Sequence, residues 1–69
     1  MSESVYKIIE LVGTSTTSWD AAAKNAVETA SKSLNDVRIA EVSKLDLKIE
    51  DGKVTAFRAR VKLSFKYQK

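Results

Sequence analysis

The sequence contains no cysteine, no histidine and no proline, and it has only two glycines among its 69 residues. Without cysteine, the chain cannot form disulfides, thiolate metal sites or thiol intermediates. Without histidine, it lacks the commonest general base and the commonest metal ligand. Nothing in the composition indicates a linker, so we expect one domain over residues 1–69. So small a domain has a small core, and oligomerisation is the remaining means of stabilising it.

The charge balance of the chain is mildly positive. Charged residues make up 30% of the sequence, apolar residues make up 43%, and the formal net charge is +3. This excess suits solubility and contact with an anionic ligand. No segment approaches transmembrane length, and the N-terminus lacks the basic-then-apolar layout of a secretion signal. We therefore expect a cytoplasmic protein that does not contact a membrane.

The first half of the chain predicts a strand followed by a helix. The stretch SVYKIIELV is rich in β-branched and aromatic residues and predicts a strand that ends at Gly13. Apolar residues at helical spacing then predict an amphipathic helix from Ser18, closed by Asn35 and Asp36. Small alanines on its inner face would let another element approach closely. That face carries Trp19, Ala22, Ala23, Ala26, Val27, Ala30 and Leu34.

The second half predicts two long strands joined by Asp51-Gly52, a pair that favours the positive φ angles of a tight hairpin turn. The alternation of the first of these strands slips near Glu41 and Val42, which indicates a bulge or bend. The predicted fold class is α+β, with the order βαββ and a three-stranded antiparallel sheet packed on one amphipathic helix. In the last strand, one face carries Phe57, Ala59, Val61, Leu63, Phe65 and Tyr67, and the other carries Arg58, Arg60, Lys62, Ser64 and Lys66.

Five hydroxyl residues, Thr14 to Ser18, precede the only tryptophan. Ser18 or Thr17 suits a helix N-cap, and Thr17 with Asp20 has the spacing of a capping box. Trp19 is expected to anchor the core. A phosphate-binding loop would need more glycine and a following lysine. A serine nucleophile would need a base, and a Ser–Lys pair has no positional support. We interpret the run as the entry into the helix.

Taken together, these segments resemble the dodecins, small βαββ proteins of which most bind flavin and assemble into hollow shells of twelve subunits. The resemblance lies in VYKIIELVGTSTTSW, AAAKNAVETASKSLNDV, VRIAEV, IEDGKV and VKLSF, which together span nearly the whole chain. It implies a non-enzymatic homododecamer, built from trimers and closed into a cage. Such a cage would bind, store or buffer a small ligand.

The resemblance also indicates where a flavin would lie. In flavin-binding relatives, a tryptophan early in the second strand stacks on the isoalloxazine ring, and a glutamine on the third strand contacts the ring edge. Ile39 and Arg58 take these positions here. Isoleucine has no π face and arginine has no acceptor, so both changes argue against a tight sandwich of FMN or riboflavin. The expected cofactor site comprises Ile39, Glu41, Arg58 and Arg60, and the two arginines would alternatively hold an anionic nucleotide-like compound.

Some dodecin-like proteins without the tryptophan have been linked to calcium, so a divalent cation is a further alternative. The candidate oxygen donors Glu41, Asp46, Glu50 and Asp51 do not form a calcium loop. A cation would therefore have to be assembled on a symmetry axis from several subunits. The sequence disfavours an enzyme, because it lacks histidine, cysteine and paired carboxylates at a convincing spacing.

A non-specific nucleic-acid binder is the remaining hypothesis. It would use a basic stripe and weaken steeply with salt. The aromatic residues of the last strand are predicted on the opposite face, where they could not stack on bases, so this hypothesis is disfavoured. The stripe would consist of Arg38, Arg58, Arg60, Lys62 and Lys66.

Overall fold

The computed structural model describes residues 5–68, with side chains up to Lys66. Its elements are β1 (Val5–Ser15), α1 (Trp19–Ser31), β2 (Val37–Glu50) and β3 (Lys53–Gln68). The strands form one antiparallel sheet in the order β1-β3-β2, so β3 is the central strand. The predicted βαββ fold is confirmed. The expected position of the Tyr67 side chain lies outside the described residues.

The helix packs on one face of the sheet, which we call the inner face; the opposite one is the outer face. The core between helix and sheet is small and rich in alanine. Val61 and Leu63 are the only large side chains of the described residues that are fully buried. The buried core comprises Ala22, Ala26, Ala30, Ala59, Val61 and Leu63, and Ile9, Leu11, Ala23, Val27, Leu34 and Val37 pack around it.

The helix lies directly against the backbone of β1 at Gly13. A Cβ atom on this residue would overlap the carbonyl oxygen of Ala22 and lie 2.9 Å from Cβ of Ala26. The close approach expected from the alanine-rich face is therefore present. The prediction that the first strand ends at Gly13 was wrong, because pairing with β3 continues to Ser15.

The N-terminus of α1 is capped by Ser18. This residue has extended backbone angles, and its Oγ accepts a hydrogen bond of 3.0 Å from the amide of Ala21. Thr17 is not the cap: its amide donates to Oγ of Ser15 at 3.0 Å. The predicted capping box of Thr17 and Asp20 was therefore wrong, although Asp20 lies in the first turn, where a carboxylate complements the positive end of the helix.

The helix ends at Ser31, earlier than the expected closure at Asn35 and Asp36. Its last turn tightens, because the amide and hydroxyl of Ser33 both donate to the carbonyl oxygen of Ala30, at 3.1 and 3.4 Å. Bonds to the third preceding residue are common where an α-helix ends. Asp36 then adopts φ 60°, a left-handed conformation that aspartate tolerates, and the chain turns into β2.

The β2–β3 hairpin has the predicted turn. Asp51 and Gly52 have φ angles of 52° and 74°, and Glu50 pairs with Lys53 across them. The register of the hairpin shifts between Val42 and Lys44, which confirms the predicted bulge. Two further shifts occur between residues 37 and 39 and between residues 48 and 49.

Candidate functional site

All four predicted site residues lie on the outer face of the sheet. They are Ile39, Glu41, Arg58 and Arg60. One chain does not bring them into a single pocket, however. Ile39 pairs with Ser64, whereas Arg58 pairs with Asp46. These two pairs are six residues apart along β3, which corresponds to about 20 Å at ~3.3 Å per residue. A small ligand that touches both Ile39 and Arg58 would therefore need residues from more than one copy of the chain.

Arg58 and Asp46 form a two-pronged ion pair. Nε of Arg58 lies 2.7 Å from Oδ1 of Asp46, and Nη2 lies 3.0 Å from Oδ2. The hydrogen bonds from Arg58 are the largest influence on the pKa of Asp46 and lower it. Desolvation opposes them, and the charges of Arg58 and Arg60 add smaller contributions that lower the pKa further. The same pair raises the pKa of Arg58. Two of the five N–H donors of Arg58, which we expected to meet an anion, are thus bonded to Asp46 within one chain.

Trp19 joins the start of α1 to both strands of the hairpin. Its indole Nε1 donates a hydrogen bond of 3.0 Å to the backbone oxygen of Asp46. Its ring meets Phe57 edge-on, with centroids 5.2 Å apart and planes at 75°. The side chain is 37% exposed, so the expectation that Trp19 anchors the core was wrong. It lies instead at the margin of the inner face, behind the Arg58–Asp46 pair.

The outer face consists of rows of three residues, one from each strand, because directly paired residues share a face. The row of Lys62 places a carboxylate on either side of the lysine. The predicted basic stripe is therefore interrupted by acidic residues. Arg38 is not part of it, because Arg38 lies at the register shift between Val37 and Ile39, and its Nη2 is 3.6 Å from Oδ1 of Asp36. The rows, in the order β1–β3–β2, are Ile8–Ser64–Ile39, Glu10–Lys62–Glu41, Val12–Arg60–Lys44 and Thr14–Arg58–Asp46.

Ile39 stands in an aliphatic row. It is 63% exposed, and Ile8 on the far side of Ser64 is 62% exposed. The row offers apolar surface on a charged face, but it has no aromatic ring on which a flavin could stack. The structure thus places Ile39 on the surface, with its side chain accessible.

The predicted oxygen donors do not gather within one chain. Among the described residues, no group of three acidic side chains could hold a metal ion. Both oxygens of Asp46 are bonded to Arg58, and Glu50 lies 3.7 Å from Nζ of Lys48. A single copy therefore does not fit a calcium ion, which needs six to eight oxygens. Among residues 5–68, no helix has the length and apolar character to cross a bilayer.

One feature that sequence reasoning missed is a groove between β1 and α1. Its volume is about 290 Å³, and the amide of Asn25 donates a hydrogen bond of 3.0 Å to the backbone oxygen of Thr14 at its edge. The alanine-rich pattern of the helix could have indicated it, since small side chains leave space beside the strand. The groove is lined by Leu11, Val12, Gly13, Thr14, Asn25, Ala26 and Thr29.

A helix-backed three-stranded sheet with a charged outer face defines a class of small α+β proteins. Within it, residues 5–68 match the sequence model of the family described as Dodecin. The chain is 45% identical over 64 residues to calcium dodecin from Mycobacterium tuberculosis, a match that covers 91% of this chain and 89% of that protein. The chain belongs to the dodecin family.

Solved structures agree with this membership. Dodecin from Streptomyces coelicolor superposes with a TM-score of 0.90 at 38% identity, covering 100% of this chain and 99% of that one. Calcium dodecin from Mycobacterium tuberculosis, a calcium-chelating antigen with a novel calcium-binding site, superposes with a TM-score of 0.83 at 42% identity. That match covers 94% of this chain and 93% of the other.

Proposed function

We propose that this protein is a single-domain, non-enzymatic dodecin that assembles into a homododecameric shell from trimers and stores a small ligand or ion. Calcium is the first candidate and flavin is the second. The main support for this proposal is an apolar stripe on the inner face of the sheet. The helix leaves this stripe uncovered, because α1 packs mainly on β1 and β3. We call it the β2 stripe; its side chains are 39% to 62% exposed. It comprises Val42, Leu45, Leu47 and Ile49 of β2, together with Val54 of β3, which is paired with Ile49.

The pairing of the strands places the β2 stripe on the core side of the sheet. Val42 is opposite the buried Val61, and Leu45 is opposite the buried Ala59. Contiguous apolar surface of this kind marks an interface in a stable protein. A partner subunit on the stripe would extend the small core formed by α1 and β3.

The dimensions of the chain support the same proposal. Its accessible surface is 5298 Å², whereas a compact monomer of its mass would expose about 4,300 Å². Its radius of gyration is 14.3 Å, whereas a compact domain of its length would have about 11 Å. An extended chain with a small core gains stability by burying this extra surface against other copies.

We rank calcium above flavin as the candidate ligand for two reasons. The relative that is 45% identical bears the name calcium dodecin, and Ile39 offers no π surface for the stacking of a flavin ring. Because no three acidic side chains of the described residues converge, a calcium site would draw carboxylates from neighbouring copies, with Glu41, Glu50 and Asp51 as candidates. Calcium would act there as a bound ion held by oxygen ligands. The cytoplasmic location expected from the sequence stays a prediction.

The test combines the mass of the assembly with two titrations. Light scattering should give twelve times the mass of the chain. Calorimetric titration with Ca²⁺ should then show saturable binding that Mg²⁺ does not reproduce, and riboflavin fluorescence should be quenched weakly. A monomer would contradict the shell. An intact dodecamer that quenches riboflavin fluorescence stoichiometrically and does not bind Ca²⁺ would make flavin the first candidate ligand and calcium the second.

A further inference from the structure

One row of the outer face carries two positive charges side by side. Arg60 of β3 and Lys44 of β2 are directly paired, and Val12 completes the row. Among the described residues, no carboxylate forms an ion pair with either of them. Like charges that face each other across a sheet lower its stability. This row therefore lacks the compensation that the rows on either side of it have.

The neighbouring rows limit this positive patch in both directions along the strands. On one side, Lys62 lies between Glu10 and Glu41. On the other side, Arg58 is bonded to Asp46 through both carboxylate oxygens. The charge of Arg60 is the smallest of the named influences on the pKa of Asp46, and Asp46 forms its ion pair with Arg58 and not with Arg60. The two charges of Lys44 and Arg60 remain unmatched.

We propose that Lys44 and Arg60 form a binding site for a small phosphate-bearing anion on the outer face. The Cβ atoms of directly paired residues lie about 5 Å apart, so both side chains can reach one phosphate group. Arginine supplies a planar fork of donors for phosphate oxygens, and lysine supplies a mobile point charge. The acids in the next row disfavour a long polyanion that runs along the strand. Neither Lys44 nor Arg60 belongs to the β2 stripe or to the candidate calcium ligands, so the site can be tested separately from the proposed shell and its calcium.

The expected measurement is a calorimetric titration of the intact protein with pyrophosphate in calcium-free buffer at low salt. Wild type should bind saturably. Lys44→Gln should lower the affinity by about tenfold, which corresponds to one lost hydrogen bond to a charged group. Lys62→Gln is the matched control: it removes the same charge from the same face, but from a row that holds two carboxylates, and it should leave the affinity almost unchanged.

A second readout separates a binding site from a structural role. Without ligand, Lys44→Gln should raise the midpoint of thermal unfolding, because it removes the repulsion with Arg60. A lower midpoint would contradict the unmatched charge on which the site rests. Absence of pyrophosphate binding by wild type, an equal loss in Lys62→Gln, or tighter binding of a short DNA duplex would each overturn the proposal. The mass and Ca²⁺ binding of Lys44→Gln, measured alongside, report on the shell separately.

Discussion

At the scale of single residues, the two glycines are required for different physical reasons. Gly13 has no room for a Cβ atom, because the backbone of Ala22 lies against it. Gly52 has open space around it but a φ of 74°. Gly13→Ala should therefore force α1 away from the sheet and lower the free energy of unfolding by about 3 kcal/mol. Gly52→Ala should lower it by only about 1 kcal/mol, the strain of a left-handed residue.

Thermal unfolding of both alanine variants at one protein concentration checks this prediction, since the midpoint of an oligomer depends on concentration. Each variant is the control for the other because the chemical change is identical. Equal losses in the two variants would contradict the close packing of Ala22 on Gly13.

Ile39 lies on the surface of the sheet, so a larger side chain can be placed there without disturbing the core. Ile39→Trp should restore a π face and raise riboflavin affinity about tenfold, within the range for stacking on one aromatic ring. Adding Arg58→Gln should raise it further if the glutamine contacts the ring edge. Fluorescence quenching measures both steps. Ile8→Trp, across Ser64 in the same row, is the matched control. Equal gains at both positions, or no gain at Ile39, would contradict the assignment of Ile39 to the flavin site.

At the scale of elements, the Arg58–Asp46 pair and Trp19 connect β2, β3 and α1. Because the pKa of Asp46 is lowered in the folded protein, the folded state binds the proton less tightly than the unfolded chain does. The pair therefore adds stability above the ordinary aspartate pKa of 3.8, and this contribution is lost as the pH falls through the lower folded value. The effect should be small, since both side chains are partly exposed.

Asp46→Asn tests this link and keeps the backbone oxygen that Trp19 contacts. The variant should unfold at a lower temperature than wild type at pH 7, and the difference should shrink as the pH falls below the ordinary aspartate pKa of 3.8. Unfolding midpoints measured across this range check it. A difference that stays constant with pH would mean that Asp46 stabilises the fold by something other than its charge.

The elements themselves were largely predictable, because period-two alternation and helical spacing are local patterns. Their ends were not. Pairing with β3 carries β1 past Gly13, and the contacts of Ser33 with Ala30 end α1 early. Trp19 was misjudged because its partner Asp46 is 27 residues away, which no local pattern reveals.

In the candidate site, the pairing of β2 with β3 was likewise not predictable from local patterns. Counting back from the Asp51-Gly52 turn would pair Asp46 with Phe57 on the other face. A register shift near Lys48 leaves Thr55 as an extra residue on β3 and brings Asp46 opposite Arg58. The face of each site residue followed from alternation, but the ion pair depends on a bulge. Bulges are tertiary features that depend on pairing, so sequence alone did not reveal this partner of Arg58.

At the scale of the whole molecule, the small core and the exposed β2 stripe both indicate that the fold is stabilised by assembly. Only two large side chains of the described residues are fully buried, whereas Leu45 and Ile49 are 51% and 62% exposed. A core of this size does not stabilise a 69-residue chain well. Stability should therefore depend on protein concentration, as it does for obligate oligomers.

Leu45→Lys should break the assembly, because it places a charge in the middle of the proposed interface, where an unpaired buried charge is strongly destabilising. Light scattering should show a species much smaller than the wild-type assembly, with a lower unfolding midpoint. Glu28→Gln changes the net charge by the same amount on the exposed surface of α1 and should stay assembled. If Leu45→Lys keeps the wild-type mass and midpoint, the β2 stripe is not the contact that closes the shell. The outer face, with its exposed Ile8 and Ile39, would then be the next surface to mutate.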